Sequence, residues 1–141
     1  MTDPPRQESF TIRDSRSEDA ETIEILIQPF VEKKYLLERT LEEIRQLTRL
    51  GFVAENSAGK LIGFAAVEIY SRKLAEIQCL AVASEYQSLG IGRRLVELCI
   101  ACARQHHVLE LMAISSSDAF LQSCGFDYSL PHQKRALFVR P

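Results

Sequence analysis

Residues Gln87 to Arg94, QSLGIGRR, set two glycines two apart in front of a run whose apolar residues recur at helical spacing. Glycine is among the poorest helix formers, so a helix that opens on two of them needs a reason. A chain that leaves a strand, turns tightly through Gly90 and Gly92 and enters a helix has several amide N–H groups unpaired and pointing outward. Successive amides of this kind form a concave nest for phosphate oxygens. Glycines let the ligand approach, and the helix dipole favours an anion by about 0.3–1 kcal/mol. Arg93 and Arg94 bring further positive charge to the first turn. The spacing is neither the dinucleotide G-x-G-x-x-G nor the P-loop G-x-x-x-x-G-K-[ST], because it lacks a third glycine and a Lys-Ser pair. Taken alone it fits a phosphate site or a merely structural turn.

A second constellation is Cys99, Cys102 and His106, on one face of the same expected helix. That geometry permits a metal cluster. The face also carries Leu95 among aliphatic neighbours, so small buried hydrophobes are the better reading and no metal is expected. A redox C-x-x-C would sit at a strand-to-helix junction, and this one falls mid-helix. His106 and His107 read as a solvated helix end, and neither they nor His132 show triad or metal-ligand spacing. Lys134 and Arg135 could reach an anionic acceptor, although such pairs are more often simply surface.

The elements that must position the glycine turn follow from periodicity and capping signals. Residues 1–9 read as a loose tail and residues 10–141 as a single domain. Phe10–Ser15 alternates as a strand. Ser17 reads as the N-cap of a first helix with Ile23, Leu26, Ile27 and Phe30 on its inner face and Pro29 near its end. Thr40 and Glu43 form a capping-box pattern for a second helix over about 41–50, with Gly51 as its stop. GFVAE and LIGFAAVEIY flank the turn-rich NSAGK, and KLAEIQCLAVA makes a third strand of the meander. The glycine-led helix runs from Gly90 to His106. VLELMAIS then returns as a strand, SDAFLQSCG as a short helix, and KRALFVR as a final strand. The sum is a mixed α/β sheet with crossovers.

Composition narrows the function classes. The formal charge of −2 argues against nucleic acid or an anionic membrane surface as a partner. The longest apolar runs fall far short of the roughly 20 residues of a membrane helix, and MTDPPRQES lacks the features of a secretory signal. A cytoplasmic protein with reduced cysteines is therefore expected.

The stretch AEIQCLAVASEYQSLGIGRRL resembles the GNAT superfamily of acetyl-CoA-dependent N-acetyltransferases, whose loop pattern is [Q/R]-x-x-G-x-[G/A] after a strand. Here that pattern is Gln87, Ser88, Leu89, Gly90, Ile91, Gly92. The order of elements resembles the family along essentially the whole chain after the tail. The resemblance implies a GNAT-type, mostly antiparallel central sheet flanked by about four helices, with acetyl-CoA as acetyl donor and no metal. It also implies that main-chain groups of Leu80, Ala81 and Val82 pair with the pantetheine arm, while Gln87 through Gly92, with Arg93 beside them, hold the pyrophosphate.

Further segments, LIQPFVEKKYLLERTLEEI and AFLQSCGF, resemble the acetyltransferase domain of N-acetylglutamate synthases and their short relatives. By that resemblance Arg39 is the candidate clamp for an acceptor carboxylate, a task suited to its bidentate fork. A surface ion pair with Glu42 or Glu43 is the alternative. Ser116 stands where the synthases carry a second arginine, which removes half of the expected dicarboxylate recognition. Glu76, eleven residues before Gln87, matches the strand position where several superfamily members place a general base. Its alternative is an exposed carboxylate, or a partner of Arg72 or Lys73. Leu121 replaces the tyrosine many members use as general acid, and Tyr86, Tyr128, Cys124 or a water could substitute. The oxyanion would meet a backbone amide near Leu80. The implied activity is acetyl transfer by direct attack of a small-molecule primary amine, plausibly that of an amino acid. The alternatives are a coenzyme A-binding module without turnover and acetylation of a protein N-terminus, a lysine or an antibiotic. Strand edges exposed in such folds often pair, which makes a homodimer the assembly to test for.

Overall fold

Alternating and continuous apolar runs, separated by turn residues, become five strands in the computed structural model, which describes residues 9–115, 117–128 and 137–141. Strands β1 (Phe10–Asp14), β2 (Gly51–Asn56), β3 (Leu61–Ile69), β4 (Leu74–Val82) and β5 (Glu110–Met112) form one sheet in that order. Every pairing is antiparallel except the parallel β4–β5. Helices α1 (Ala20–Glu32) and α2 (Leu41–Leu47) cover one face of the sheet. The other face carries α3 (Ile91–Gln105), with Phe120 of α4 (Asp118–Ser123) packed against the same core. Between the layers β3 is buried on both sides, which is why LIGFAAV reads as a continuous apolar run.

The first helix opens differently from the sequence expectation. Ser17 does not cap it. Asp19 reaches back to accept the Arg16 backbone N–H at 2.7 Å and is itself gripped by both Arg13 Nη atoms at 2.9 Å. The chain therefore makes a 3-10 turn over Ser17–Asp19 before α1 begins at Ala20. Buried Ile23 and Ile27 anchor α1, with Leu26 and Phe30 half-buried beside them. Truncating a buried isoleucine of this kind to alanine typically costs about 2–5 kcal/mol. Pro29 lies in the last turn, and Lys34, at φ 63°, carries the chain out of the helix.

The capping box on α2 forms as expected: the Thr40 hydroxyl accepts the Glu43 N–H at 3.2 Å, and Glu43 Oε1 accepts the Thr40 N–H at 3.3 Å. The α-helix stops at Leu47, short of Leu50, and Thr48–Leu50 tightens into a 3-10 turn. There the Thr48 hydroxyl donates to the Arg45 carbonyl, and Ser15 Oγ donates to the Thr48 carbonyl at 2.8 Å. Gly51 is not a left-handed helix stop, since its φ of −138° is extended backbone and it starts β2. It is glycine for lack of room: a Cβ would lie 2.6 Å from Ser15 Oγ and 2.9 Å from the Phe64 ring.

The expected strand VLELMAIS shortens to Glu110–Met112, because β4 pairs with it only over Leu74–Glu76 and no described strand pairs with the following residues. The expected final strand KRALFVR begins outside the described residues. Its described part, Leu137–Arg140, is not strand, and Leu137, Phe138 and Val139 are exposed. A β-favouring run becomes a strand only where a neighbour takes its N–H and C=O groups, and no described strand pairs with this one. Ser116, His132, Lys134 and Arg135, and the tail except Ser9, also lie outside the described residues.

Cys79, Cys99 and Cys102 are buried free thiols. Burial pushes the Cys79 thiol up to about 11, against the opposing charge of Arg39. Burial, with Cys102 adding to it, pushes Cys99 up to about 12. Cys102 is raised by burial and by Asp14. Its sulfur lies 3.8 Å from His106 Nδ1, a nitrogen that sits 2.9 Å from the Cys102 carbonyl oxygen. No group of three or more His, Cys, Asp and Glu among the described residues is arranged to hold a metal ion. The thiolate is the reactive form, so a thiol reagent at pH 8 is expected to label half-buried Cys124 first and the other three only on unfolding. Mass spectrometry of the native protein checks this; equal labelling of Cys99 and Cys124 would contradict it.

Candidate active site

A break in the β4 register shapes the site. Phe64 faces Ala81 and Ala66 faces Gln78, so Ala65 stands opposite both Cys79 and Leu80. This is a β-bulge, with Cys79 in the left-handed region at φ 61°. The extra residue inverts the alternation. Ala75, Ile77, Leu80 and Val82 pack toward α3, whereas Cys79 and Ala81 pack toward α1 and α2. Glu76 and Gln78 fall on the α1–α2 side, opposite to Ala75 and Ile77. The last β4–β5 partners are Glu76 and Met112. Beyond them the β5-facing edge of β4 has no strand partner among the described residues, which leaves a split whose apex is Glu76.

Past this apex lies a cleft of about 500 Å³ lined by Leu80, Ala81 and Val82 of β4, by Gln87, Ser88, Gly90, Ile91, Gly92 and Arg93, and by Phe30, Tyr86 and Phe120. It thus gathers every expected cofactor residue except Leu89, which is 43% exposed outside it. The loop is tied back at two points: Gln87 Nε2 donates to the Val82 carbonyl at 3.1 Å, and Asn56 Nδ2 donates to the Tyr86 hydroxyl at 3.1 Å. Ser88 at φ 68° and Gly90 at φ 85° stand one residue apart in the left-handed region, an alternation of the kind from which amide nests are built. The sign of its φ explains Gly90. Gly92 has no such reason, because it is helical and a Cβ there would meet only Phe120 at 3.4 Å and Val82 at 3.8 Å, ordinary contacts. Both neighbours line the cleft, so the space that Gly92 leaves belongs to the cleft. Arg93 lines it too, with its fork committed to Ser123, Nη1 to the carbonyl at 3.0 Å and Nη2 to Oγ at 2.9 Å.

On the α1–α2 side of the same strand, a chain of polar side chains joins three elements. Arg39 Nη2 donates to Gln78 Oε1 at 2.6 Å. Gln78 Nε2 donates to Glu68 Oε2 at 2.9 Å and to the Tyr70 hydroxyl at 3.2 Å. The Tyr70 hydroxyl donates to Glu76 Oε1 at 2.6 Å. Among the described residues Arg39 pairs with neither Glu42 nor Glu43, which are engaged by Arg45 and by the cap of α2. Glu76 likewise makes no ion pair with Arg72 or Lys73; it is half-buried and bound to Tyr70. Burial, together with the hydrogen bond and charge of Glu76, pushes the Tyr70 phenol up to about 12. It remains a proton donor throughout the neutral range.

Residues 14–126 match the Acetyltransferase (GNAT) family. The chain belongs to the GNAT family. An uncharacterised N-acetyltransferase of Chlorobaculum tepidum is 34% identical over 115 residues, 82% of this chain and 74% of the relative. An amino-acid acetyltransferase of Mycobacterium tuberculosis is 27% identical over 128 residues, 89% and 73% of the two chains. Among solved structures, N-acetylglutamate synthase from Neisseria gonorrhoeae, complexed with coenzyme A and N-acetyl-glutamate, superposes with a TM-score of 0.75 at 31% identity. That match covers 82% of this chain and 27% of the synthase.

GNAT enzymes take their acetyl group from acetyl-CoA, and the cleft combines a strand edge without a strand partner among the described residues, positive φ at Ser88 and Gly90, and lining by Gly92. Leu121, at the place where the resemblance leads one to expect a tyrosine, is buried. Tyr128 donates to Asp118 at 2.7 Å and lines a separate cavity beside β5, and Tyr86 is held by Asn56 at the loop end of the cleft. Glu68, Tyr70 and Gln78 escaped the sequence reading. A signal for two of them was present: a hairpin centred on Arg72 pairs Glu68 with Glu76, as observed, and puts Tyr70 on the same face. The position of Gln78 beside them follows only if the bulge comes after it, and no spacing in the sequence announces the bulge.

Proposed function

We propose that this protein transfers the acetyl group of acetyl-CoA to the amine of a small molecule, with an amino acid as the acceptor class that the site supports best. One observation carries the reading. Arg39 and Glu76, distant in sequence, face the same side of β4 and are joined through Gln78 and Tyr70 at the point where the sheet splits. Acetyl-CoA held along Leu80–Val82 and the Gln87–Gly92 loop would supply an electrophilic thioester. Arg39 binds the acceptor carboxylate, and Glu76, whose Oε2 accepts from no described side chain, takes the amine proton directly or through a water. A β4 amide near Leu80, just past the bulge, meets the developing oxyanion. Arg93 acts as a nearby charge and as a brace between α3 and α4 rather than as a direct ligand.

The M. tuberculosis amino-acid acetyltransferase and the gonococcal synthase support an amino-acid acceptor. Ser116 at the place of the second arginine argues for acceptors with a single carboxylate at least as strongly as for glutamate. The same proposal includes a cytoplasmic location and a homodimer through the edge of β1 that has no partner among the described residues, to be tested by cell fractionation and sedimentation velocity. Incubation with acetyl-CoA and a panel of amino acids, other amines and peptides, with free thiol followed by a chromogenic reagent, tests the reaction itself. Thiol release driven by one or more amino acids is expected. Release with peptides alone would overturn the acceptor class. Thermal stabilisation by coenzyme A without thiol release from any member would identify a binding module instead.

A further inference from the structure

The hydrogen bonds around Gln78 have only one consistent polarity. A guanidinium can only donate, so the Gln78 atom facing Arg39 must be the amide oxygen, and the amide nitrogen then faces Glu68 and Tyr70. The Tyr70 oxygen accepts from that nitrogen, and its own hydrogen is directed to Glu76 Oε1, the closer of its two carboxylate neighbours at 2.6 Å against 3.3 Å for Glu68. Donation thus runs one way, from Arg39 through Gln78 and Tyr70 to Glu76. Glu76 also faces Glu68 across the two strands, as direct register partners, and the phenol hydrogen lies where their like charges would otherwise repel.

We infer that Tyr70 is a positioning residue of the reaction: its hydroxyl orients the Glu76 carboxylate as a proton acceptor and, through Gln78, couples it to the acceptor clamp Arg39. The inference rests on the reading of Glu76 as base and Arg39 as clamp. Fixing one carboxylate oxygen aims the other at the incoming amine. It also gives the clamp and the base a common geometry, so that an acceptor drawing Arg39 away from Gln78 is sensed at Glu76. The charged and titratable groups facing the network are Arg39 from the segment before α2, Glu43 of α2 and Arg49 after it, Glu68 of β3, and Glu76 itself. Among the described residues, the Gln78 amide donates to Glu68 and the phenol to Glu76.

The test is Tyr70→Phe in the full chain, beside Glu76→Gln and the double variant, with kcat and acceptor KM measured from pH 5 to 10. Tyr70 is 51% exposed, so the phenylalanine variant is expected to fold and to bind coenzyme A with unchanged affinity. Its kcat should fall about tenfold near neutral pH, with the acceptor KM changed much less than kcat. In the Glu76→Gln background the same change should add almost nothing. A change confined to the acceptor KM, or full additivity in the double variant, would overturn the positioning role. Undiminished activity of Glu76→Gln alone would instead overturn the base assignment, so the two failures are distinguishable.

Discussion

Glu76→Gln is expected to lower kcat by about 10²–10⁴ while leaving coenzyme A affinity and the melting temperature nearly unchanged. Glutamine keeps the shape of the side chain and can still pair with the Tyr70 hydroxyl, so the substitution removes proton acceptance and little else. It leaves the cleft at Leu80–Val82 and the glycine loop untouched, because Glu76 lies at the apex of the split and on the opposite side of the strand from Leu80 and Val82. Steady-state rates with the acceptor found in the thiol-release panel, together with calorimetric titration of coenzyme A, check both halves. A variant with wild-type kcat at all pH values would show that the amine proton leaves by another route. A loss of coenzyme A affinity equal to the loss of rate would show that Glu76 acts in binding.

Enlarging Gly92 is expected to separate stability from binding. In the free protein the first Cβ meets Phe120 and Val82 at ordinary contact distances, and the residue is already helical. Gly92→Ala should therefore stabilise the fold by about 0.5 kcal/mol, the lower end of the cost of a helical glycine. Gly92→Leu should reach into the cleft that Phe120 and Val82 line, and weaken coenzyme A binding at least tenfold, about 1.4 kcal/mol. Gly90 is the poorer probe, because its φ of 85° makes any side chain there strained irrespective of a ligand. Thermal unfolding and titration of the two Gly92 variants read the opposed effects. Unchanged affinity in the leucine variant would sink the assignment of the nest.

The sequence by itself determined the order of elements as far as α4 and the glycine loop, because these rest on local periods, caps and turn residues that a short window contains. Thr40 with Glu43 and the spacing of Ile23 and Ile27 are signals of this kind. The errors arose where side chains from other elements intervene. Ser17 lost the cap to Asp19, which Arg13 on a neighbouring strand holds in place, and Gly51 is glycine because Ser15 and Phe64 crowd it from elsewhere in the fold. Motif comparison could point to Glu76 and Arg39 separately. Only the tertiary structure decided that they belong to one hydrogen-bonded chain, since that depends on the hairpin register that sets Glu68 against Glu76 and on the bulge at Cys79, which separates the face of Glu76 and Gln78 from that of Leu80 and Val82. Register and bulges are settled by pairing between strands and by packing on both faces of a sheet, so their energies lie in contacts between distant residues and leave no periodic trace along the chain.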